Sequence, residues 1–168
     1  MKMTNKITMK NINFRKLLPE ESKIYRTIRL ESLEKFPDSF GANYQEALKI
    51  EKFPMESHIE EQTKEKFVFG AFTDEELIGI CSFVKGEDNT GNIYQMYVKN
   101  EFQGKNIGQG LLEAVIEEAS HTYHGIEILL EVTPGNDKAY KLYKKAGFLE
   151  IKSPTTENIS NITMKYQV

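Results

Sequence analysis

Three glycines, Gly104, Gly108 and Gly110, fall within seven residues at the front of FQGKNIGQGLLEAVIEEA (Phe102–Ala119). An amphipathic run follows at once. Leu111, Leu112, Val115, Ile116 and Ala119 fall at i, i+1, i+4, i+5 and i+8, one apolar stripe of a helix that begins near Gly108. The first turn of a helix has backbone N–H groups without helical partners and carries the positive end of the helix dipole. Glycine lets a bulky anion come close to such amides. Strand, glycine loop and helix therefore make a phosphate-binding arrangement; the bare structural reading is a tight strand-to-helix turn. Two nucleotide signatures are excluded. Gly104 is followed by Lys105 and Asn106 and the later glycines lack a lysine–hydroxyl pair, so there is no G-x-x-x-x-G-K-[ST]. The spacing 104, 108, 110 is not G-x-G-x-x-G either.

The other reactive side chains carry less. Cys81 lies inside LIGICSFV, an apolar strand-like run, and reads as core filling. It is the single cysteine, so no internal disulfide forms, which suits the cytoplasm. His58, His121 and His124 do not sit with carboxylates or cysteines at metal-ligand spacing, and no metal site is expected.

The elements that must hold the loop follow from periodicity. At 168 residues, 39% hydrophobic and 28% charged, the chain has the composition of one globular domain. A net charge of −3 argues against a general nucleic-acid binder, and YKLYKKAGF reads as a solvated helix face rather than a basic patch. No apolar run approaches the roughly 18 residues of a membrane span, and MKMTNKITMK is too polar for a signal peptide. Residues 1–10 read as a flexible lead-in. INFRKL (Ile12–Leu17) alternates like a half-buried strand. Pro19 suits a helix start, and Ile24, Ile28, Leu30 and Leu33 place an apolar face on a helix over about 20–35. FPDSFGAN interrupts it with Pro37 and Gly41. A second helical stretch over about 43–63 is expected to break or kink at Pro54. KFVFGAF and LIGICSFV form a hairpin at TDEE, and GEDNTG turns into NIYQMYV (Asn92–Val98). IEILLEV (Ile126–Val132) is a buried-type strand, NDKAYKLYKKAG a short helix closed by Gly147, and FLEI and NITMKY closing strands. This order predicts a mixed α/β sheet with helices on both faces.

MYVKNEFQGKNIGQGLLEAVI resembles the central motif of the GNAT superfamily, the acyl-CoA-dependent N-acetyltransferases. That motif, [QR]-x-x-G-x-[GA], lies between the family's fourth strand and third helix. Gln103, Asn106 and Gly108 stand at the matching positions, Asn106 replacing the first glycine. Asparagine is among the few residues that tolerate a left-handed backbone. LEVTPGNDKAYKLYKKAGF is similar to the family's N-x-x-A-x-x-L-Y-x-x-x-G-F pattern, with Asn136, Ala139, Leu142, Tyr143, Gly147 and Phe148 matching. The resemblance covers about 65–153 in the family's element order and the N-terminal third loosely. It implies a GNAT-like α/β fold, β-α-α-β-β-β-α-β-α-β-β, with a mixed, mostly antiparallel sheet of about seven strands. Residues 11–168 would then be a single N-acetyltransferase domain.

The resemblance also implies roles. The loop amides from Gly104 through Lys105, Asn106, Ile107, Gly108 and Gln109, flanked by Gln103 and Gly110, would take the pyrophosphate of acetyl-CoA, with no metal. The backbone of Met96, Tyr97 and Val98 would pair with the pantetheine arm as an added strand. A bulge in this strand would point the Val98 N–H at the thioester oxygen, where a backbone donor stabilises developing charge. Asn136 would cap its helix and bind the pantetheine. Tyr143 would be the general acid for the leaving thiol; without the resemblance it reads as an aromatic packing beside Leu142 and Phe148. Aqueous pKa values, about 8.5 for a thiol and 10 for tyrosine, oppose that transfer by roughly 2 kcal/mol. The proton would move only as the leaving group charges up.

The general base is a choice among several residues. Histone-acetylating members carry a glutamate where Asn92 stands. Members that acetylate ribosomal-protein N-termini carry one five residues before the helix-start asparagine, and Glu131 holds that position. Alternation with Leu130 and Val132 turns Glu131 away from their face, toward the cleft. A hydrogen-bonded strand glutamate is its plain reading, and Tyr94 and Glu46 are further candidates. The expected function is N-acetyl transfer to a primary amine by direct attack on the thioester. A non-catalytic coenzyme A-binding regulatory domain and a non-catalytic interaction domain are the alternatives. The acceptor, a small molecule or a protein N-terminus, would be gripped by the first two helices and a hairpin over about 153–165. Arg26, Arg29, Glu31 and Glu46 either line that pocket or, as their types favour, lie on solvated helix faces. A homodimer is left open, and neither nucleic acid nor membrane is expected as a partner.

Overall fold

The computed structural model describes residues 11–36, 43–152 and 161–167. Seven strands form one sheet: β1 (Asn13–Lys16), β2 (Lys66–Thr73), β3 (Glu76–Lys85), β4 (Thr90–Val98), β5 (Glu127–Val132), β6 (Phe148–Ile151) and β7 (Ile162–Tyr166). The helices are α1 (Ser22–Lys35), α2 (Tyr44–Leu48), α3 (Pro54–Glu61), α4 (Ile107–Thr122) and α5 (Asp137–Ala146), with 3-10 turns at Pro19–Glu21 and Asn100–Phe102. The strand order is β1-β2-β3-β4-β5-β7-β6. Only the β4–β5 pair is parallel, so the mixed, mostly antiparallel sheet expected from the sequence is present.

The β2–β3 and β3–β4 hairpins turn through paired left-handed residues, Asp74 and Glu75 (φ 51 and 69) and Asp88 and Asn89 (φ 55 and 54). That backbone twist matches the twist of the strands it joins. Strands β2 and β3 are buried almost throughout because helices cover both faces. On one face Phe67, Ala71, Ile78 and Phe83 pack with Leu111, Leu112 and Val115 of α4. On the other, Val68, Phe72 and Ile80 pack with Tyr25, Ile28 and Leu33 of α1 and with Ile59 of α3. Leu111, Leu112, Val115 and Ala119 are fully covered, as their spacing predicts.

The helical stretch over 43–63 breaks, as expected at Pro54: α2 ends at Leu48 and Pro54 opens α3 as its first residue. Proline fits there because its missing N–H has no helical partner to lose. Glu56 then caps the start, its Oε2 accepting from the Phe53 N–H at 2.8 Å and from Arg26 Nη1 at 3.1 Å. The apolar face of α1 is what needs correction. Ile24 is exposed, and the buried stripe is Ser22, Tyr25, Ile28, Arg29, Ser32 and Leu33. The lead-in, the break at Pro37 and Gly41, and most of the acceptor hairpin lie outside the described residues.

Candidate active site

Strands β4 and β5 pair only at their beginnings, Thr90 with Glu127 through Asn92 with Leu129. Beyond that they diverge. β4 keeps its other neighbour, pairing with β3 as far as Val98, while β5 pairs with β7 from Leu129 to Val132. The V-shaped opening leads into a cavity of about 950 Å³. Lys99 donates its N–H to Ile78 O on the β3 side (2.9 Å). Strand alternation turns the Val98 N–H the opposite way, into the opening. The Val98 carbonyl lies on that side too and accepts from Gln103 Nε2 at 2.9 Å. Gln103 Oε1 in turn accepts from Lys138 Nζ at 2.7 Å. The Gln103 amide thus ties the end of β4 to the start of α5.

The loop has the left-handed backbone that its composition foretells. Gly104 has φ 79, and Asn106, the residue before α4, has φ 65 and ψ 17. The first bond of the helix runs from the Gly110 N–H to Asn106 O at 3.1 Å. The amides of Ile107, Gly108 and Gln109 precede that bond, and the first turn carries no acidic residue. A Cβ on Gly104 would meet nothing within 4 Å, so the loop opens onto free space. Such a turn of unpartnered amides suits an oxyanion. Ile107, Gly108 and Gln109 line the cavity, and Lys138, Lys141 and Lys145 of α5 stand on its wall.

The opening brings together Met96, Tyr97, Val98, Gln103, Gly104, Asn106, Ile107, Gly108, Gln109, Glu131, Asn136 and Tyr143. Two expected loop residues do not join them. Lys105 is exposed outside the cavity wall. A Cβ on Gly110 would sit 2.3 Å from Phe14 Cζ, so this glycine lets α4 lie close to β1. The Tyr97 side chain turns to the α1 face, where its hydroxyl donates to Glu31 Oε2 at 2.6 Å. Asn136 is the expected cap, its Oδ1 accepting from the Ala139 N–H at 3.3 Å.

Tyr143 is the one buried residue of α5, 9% exposed, with its ring edge-on to Phe148 at 6.3 Å between centroids. Burial pushes its hydroxyl above the usual tyrosine range, and the neighbouring Cys81 thiol adds to the shift. It therefore keeps its proton throughout the physiological pH range. Glu131 is exposed to the cavity and accepts from Asn161 Nδ2 at 3.2 Å. Tyr94, 48% exposed, lines the same end, whereas Glu46 does not reach it.

Of the proposed acceptor residues, Arg29 lines the cavity and is buried, so it is no solvated helix face. Loss of hydration lowers its pKa, against a smaller opposing influence from Tyr25. Arg26 is structural, bonded to Glu56 and stacked 4.5 Å over the Phe53 ring. Glu31 serves Tyr97. Sequence reasoning set Lys141 and Lys145 of YKLYKKAGF aside as a solvated helix face and missed Lys138, although the i, i+3, i+7 spacing of the three signals one helix face. It also missed Phe36, Gln95 and Asn161, which no spacing marks.

A profile of the Acetyltransferase (GNAT) family matches residues 28–148. The chain belongs to that family. It is 36% identical over 62 residues to an N-alpha-acetyltransferase of Sulfurisphaera tokodaii, a span that is 37% of each chain. An N-alpha-acetyltransferase of Saccharolobus solfataricus matches with the same identity and coverage. The match thus spans little more than a third of these relatives' length. Among solved structures, the PaiA N-acetyltransferase of Thermoplasma acidophilum in complex with coenzyme A is similar. It superposes with TM-score 0.74 at 23% identity, covering 94% of this chain and 99% of that one. A GNAT acetyltransferase of Streptococcus pneumoniae gives 0.72 at 20%, covering 92% and 97%.

Proposed function

We propose that this protein transfers the acetyl group of acetyl-CoA to a primary amine, a small molecule or a protein N-terminus. The observation that carries the reading is the V-shaped opening, with unpartnered strand edges in its walls, helix-start amides at one end and a buried tyrosine beside it. These residues fit coenzyme A. The amides of Ile107, Gly108 and Gln109, with the loop from Gly104, would hold the pyrophosphate, and the lysines of α5 add positive charge beside it. The free edges of Met96 and Val98 suit the amides of the pantetheine arm. When bound, the thioester supplies an activated acyl carbon and a thiol leaving group.

What the chain adds is position and proton traffic. The Val98 N–H stabilises charge that develops on the acyl oxygen. Tyr143 gives its proton to the sulfur as the carbon–sulfur bond breaks. Glu131 removes a proton from the amine, directly or through water, because only a neutral amine attacks. Asn161 orients that carboxylate. Cytoplasmic residence is part of the proposal and rests on the single cysteine. No helix among the described residues is long and apolar enough to cross a membrane.

A thiol-release assay over a panel of amines, run beside calorimetry with acetyl-CoA, tests the reading. Tight binding with amine-dependent thiol release is expected. Binding with no release on any amine would favour a coenzyme A-binding regulatory domain, and no binding would remove both.

A further inference from the structure

Gln95 has φ 57 in the middle of β4. The β3–β4 register slips there, with Ile80 facing Tyr97 and Ser82 facing Tyr94. Two residues, Gln95 and Met96, therefore oppose one, Cys81, as in a β-bulge. A left-handed backbone is unfavourable for a residue with a side chain and persists only where its surroundings impose it. Here two hydroxyls anchor the side chain. Tyr25 Oη donates to Gln95 Oε1 at 2.7 Å, and Ser82 Oγ donates to the same oxygen at 3.0 Å. Both are buried, Tyr25 at 1% and Ser82 at 0% exposure, and neither has another hydrogen bond among the described residues. Each buried proton needs an acceptor, so the amide oxygen must face inward.

That fixes the other end. Gln95 Nε2 points away from Tyr25 and Ser82, is not among the buried atoms left unpaired, and has no partner among the described residues. The residue lines the cavity, so this N–H2 group faces into it. Its place is at the end remote from the glycine loop. Gln95 precedes Val98 by three residues, roughly 10 Å along a strand, and the loop follows Val98. Arg29, Phe36 and Asn161 also line the cavity.

We propose that Gln95 is a specificity-determining residue whose amide N–H2, held still by Tyr25 and Ser82, donates to a carbonyl oxygen beside the acceptor's amine. The inference rests on the acetyl-transfer reading and deepens it. It makes α-amino carbonyl compounds, such as peptides with a free N-terminus, better acceptors than plain alkylamines. A polar group built to be satisfied by substrate discriminates against an analogue that leaves it unpaired.

The test is Gln95→Glu, which keeps oxygens for Tyr25 and Ser82 but replaces the donor with an acceptor. kcat/KM is measured for a short peptide and for an alkylamine of matched length, in variant and wild type. Taking variant over wild type for each acceptor cancels the different pKa values of the two amines. The expected loss is about tenfold or more greater for the peptide, with the Kd for acetyl-CoA unchanged within about threefold. Equal losses on both acceptors would make Gln95 a holder of the bulge and nothing more. A loss confined to acetyl-CoA affinity would assign its N–H2 to the acyl donor; either result overturns the proposal. Tyr25→Phe, which loosens the amide without removing it, is expected to give a smaller loss selective in the same direction. Peptide and alkylamine binding to the enzyme–coenzyme A complex, where no transfer occurs, should show the same contrast in Kd. An enzyme that turns over no amine would defeat the acetyl-transfer reading, and this binding contrast would still decide the role of Gln95.

Discussion

Replacing Tyr143 by phenylalanine separates packing from chemistry. The ring stays against Phe148, and the lost hydroxyl leaves nothing unpaired, since it bonds to no other group among the described residues. Stability should therefore change by less than about 1 kcal/mol. The chemical step should slow by about 10²–10⁴-fold, a barrier increase of about 3 to 5 kcal/mol. Acetyl-CoA affinity should barely move, because the contacts proposed to hold it are backbone groups of the loop and β4. The pH dependence follows from the raised pKa. A phenol serves as an acid while protonated, and burial extends that range above its usual value near 10. The wild-type rate should thus show no alkaline fall owed to Tyr143 below about pH 10. Full transfer to a free thiolate is uphill by more than about 2 kcal/mol, so the proton must move together with bond cleavage. Single-turnover quench measurements from pH 6 to 10, with any accepted amine, avoid the masking effect of slow product release. A phenylalanine variant at full rate would refute the acid role. An alkaline limb near pH 8.5 that vanishes in the variant would refute the concerted argument.

Glu131→Gln should lower turnover most at low pH and leave acetyl-CoA affinity unchanged; an unaltered pH–rate profile would transfer the base to Tyr94 or water. Gly108→Ala places a Cβ 3.1 Å from Leu142 Cδ2, a flexible tip, so the variant should fold yet bind acetyl-CoA about tenfold more weakly by calorimetry. Unchanged affinity in the folded variant would remove the anion site from α4. Asn106→Gly relieves a left-handed asparagine and should leave affinity the same or slightly tighter. Tyr25 is pushed up to about 12 by burial, only partly offset by Arg29 and Gln95. Its folded form keeps a proton that the unfolded chain loses above about pH 10, so stability should fall from there to pH 12 by about 1.4 kcal/mol per pH unit from this group. Urea titrations should show a shallower fall in Tyr25→Phe, and identical slopes would contradict the burial argument.

The sequence carried the sheet because its signals are local. Alternation marked β1, apolar runs marked β2, β3 and β5, and acidic or asparagine turns joined the hairpins at Asp74–Glu75 and Asp88–Asn89. Asn106 was legible for the same reason, since left-handed tolerance belongs to the residue itself. What escaped was decided across the chain. Nothing near Gly110 announces that Phe14 will lie against it, so its glycine looked like part of the anion loop. Ile24 matched a helical stripe, yet the sheet met the face of Tyr25, Ile28 and Leu33 instead. The resemblance implies a bulge in NIYQMYV, but nothing in that segment says that the side chain anchoring it would be Tyr25, 70 residues earlier.

The bulge and the opening need each other. Two strands that leave one another after Asn92 and Leu129 expose unpaired N–H and C=O groups, a condition folded proteins otherwise avoid. β4 could relieve it by staying beside β5, but its pairing with β3 holds it away as far as Val98. An extra residue on β4 increases local twist and bends the strand, which drives its far half from β5. Tyr25 and Ser82 lock that residue from the α1 face and from β3, while Gln103 holds the Val98 carbonyl. The Val98 N–H is then presented to the cavity without being pulled back into a ladder. A backbone donor is useful to a reacting carbonyl only if it is already aimed and unpartnered before the reaction begins. On this argument, loosening the Gln95 anchor weakens acceptor selectivity first. Only a wider collapse of β4 toward β5 would cost the Val98 donor as well.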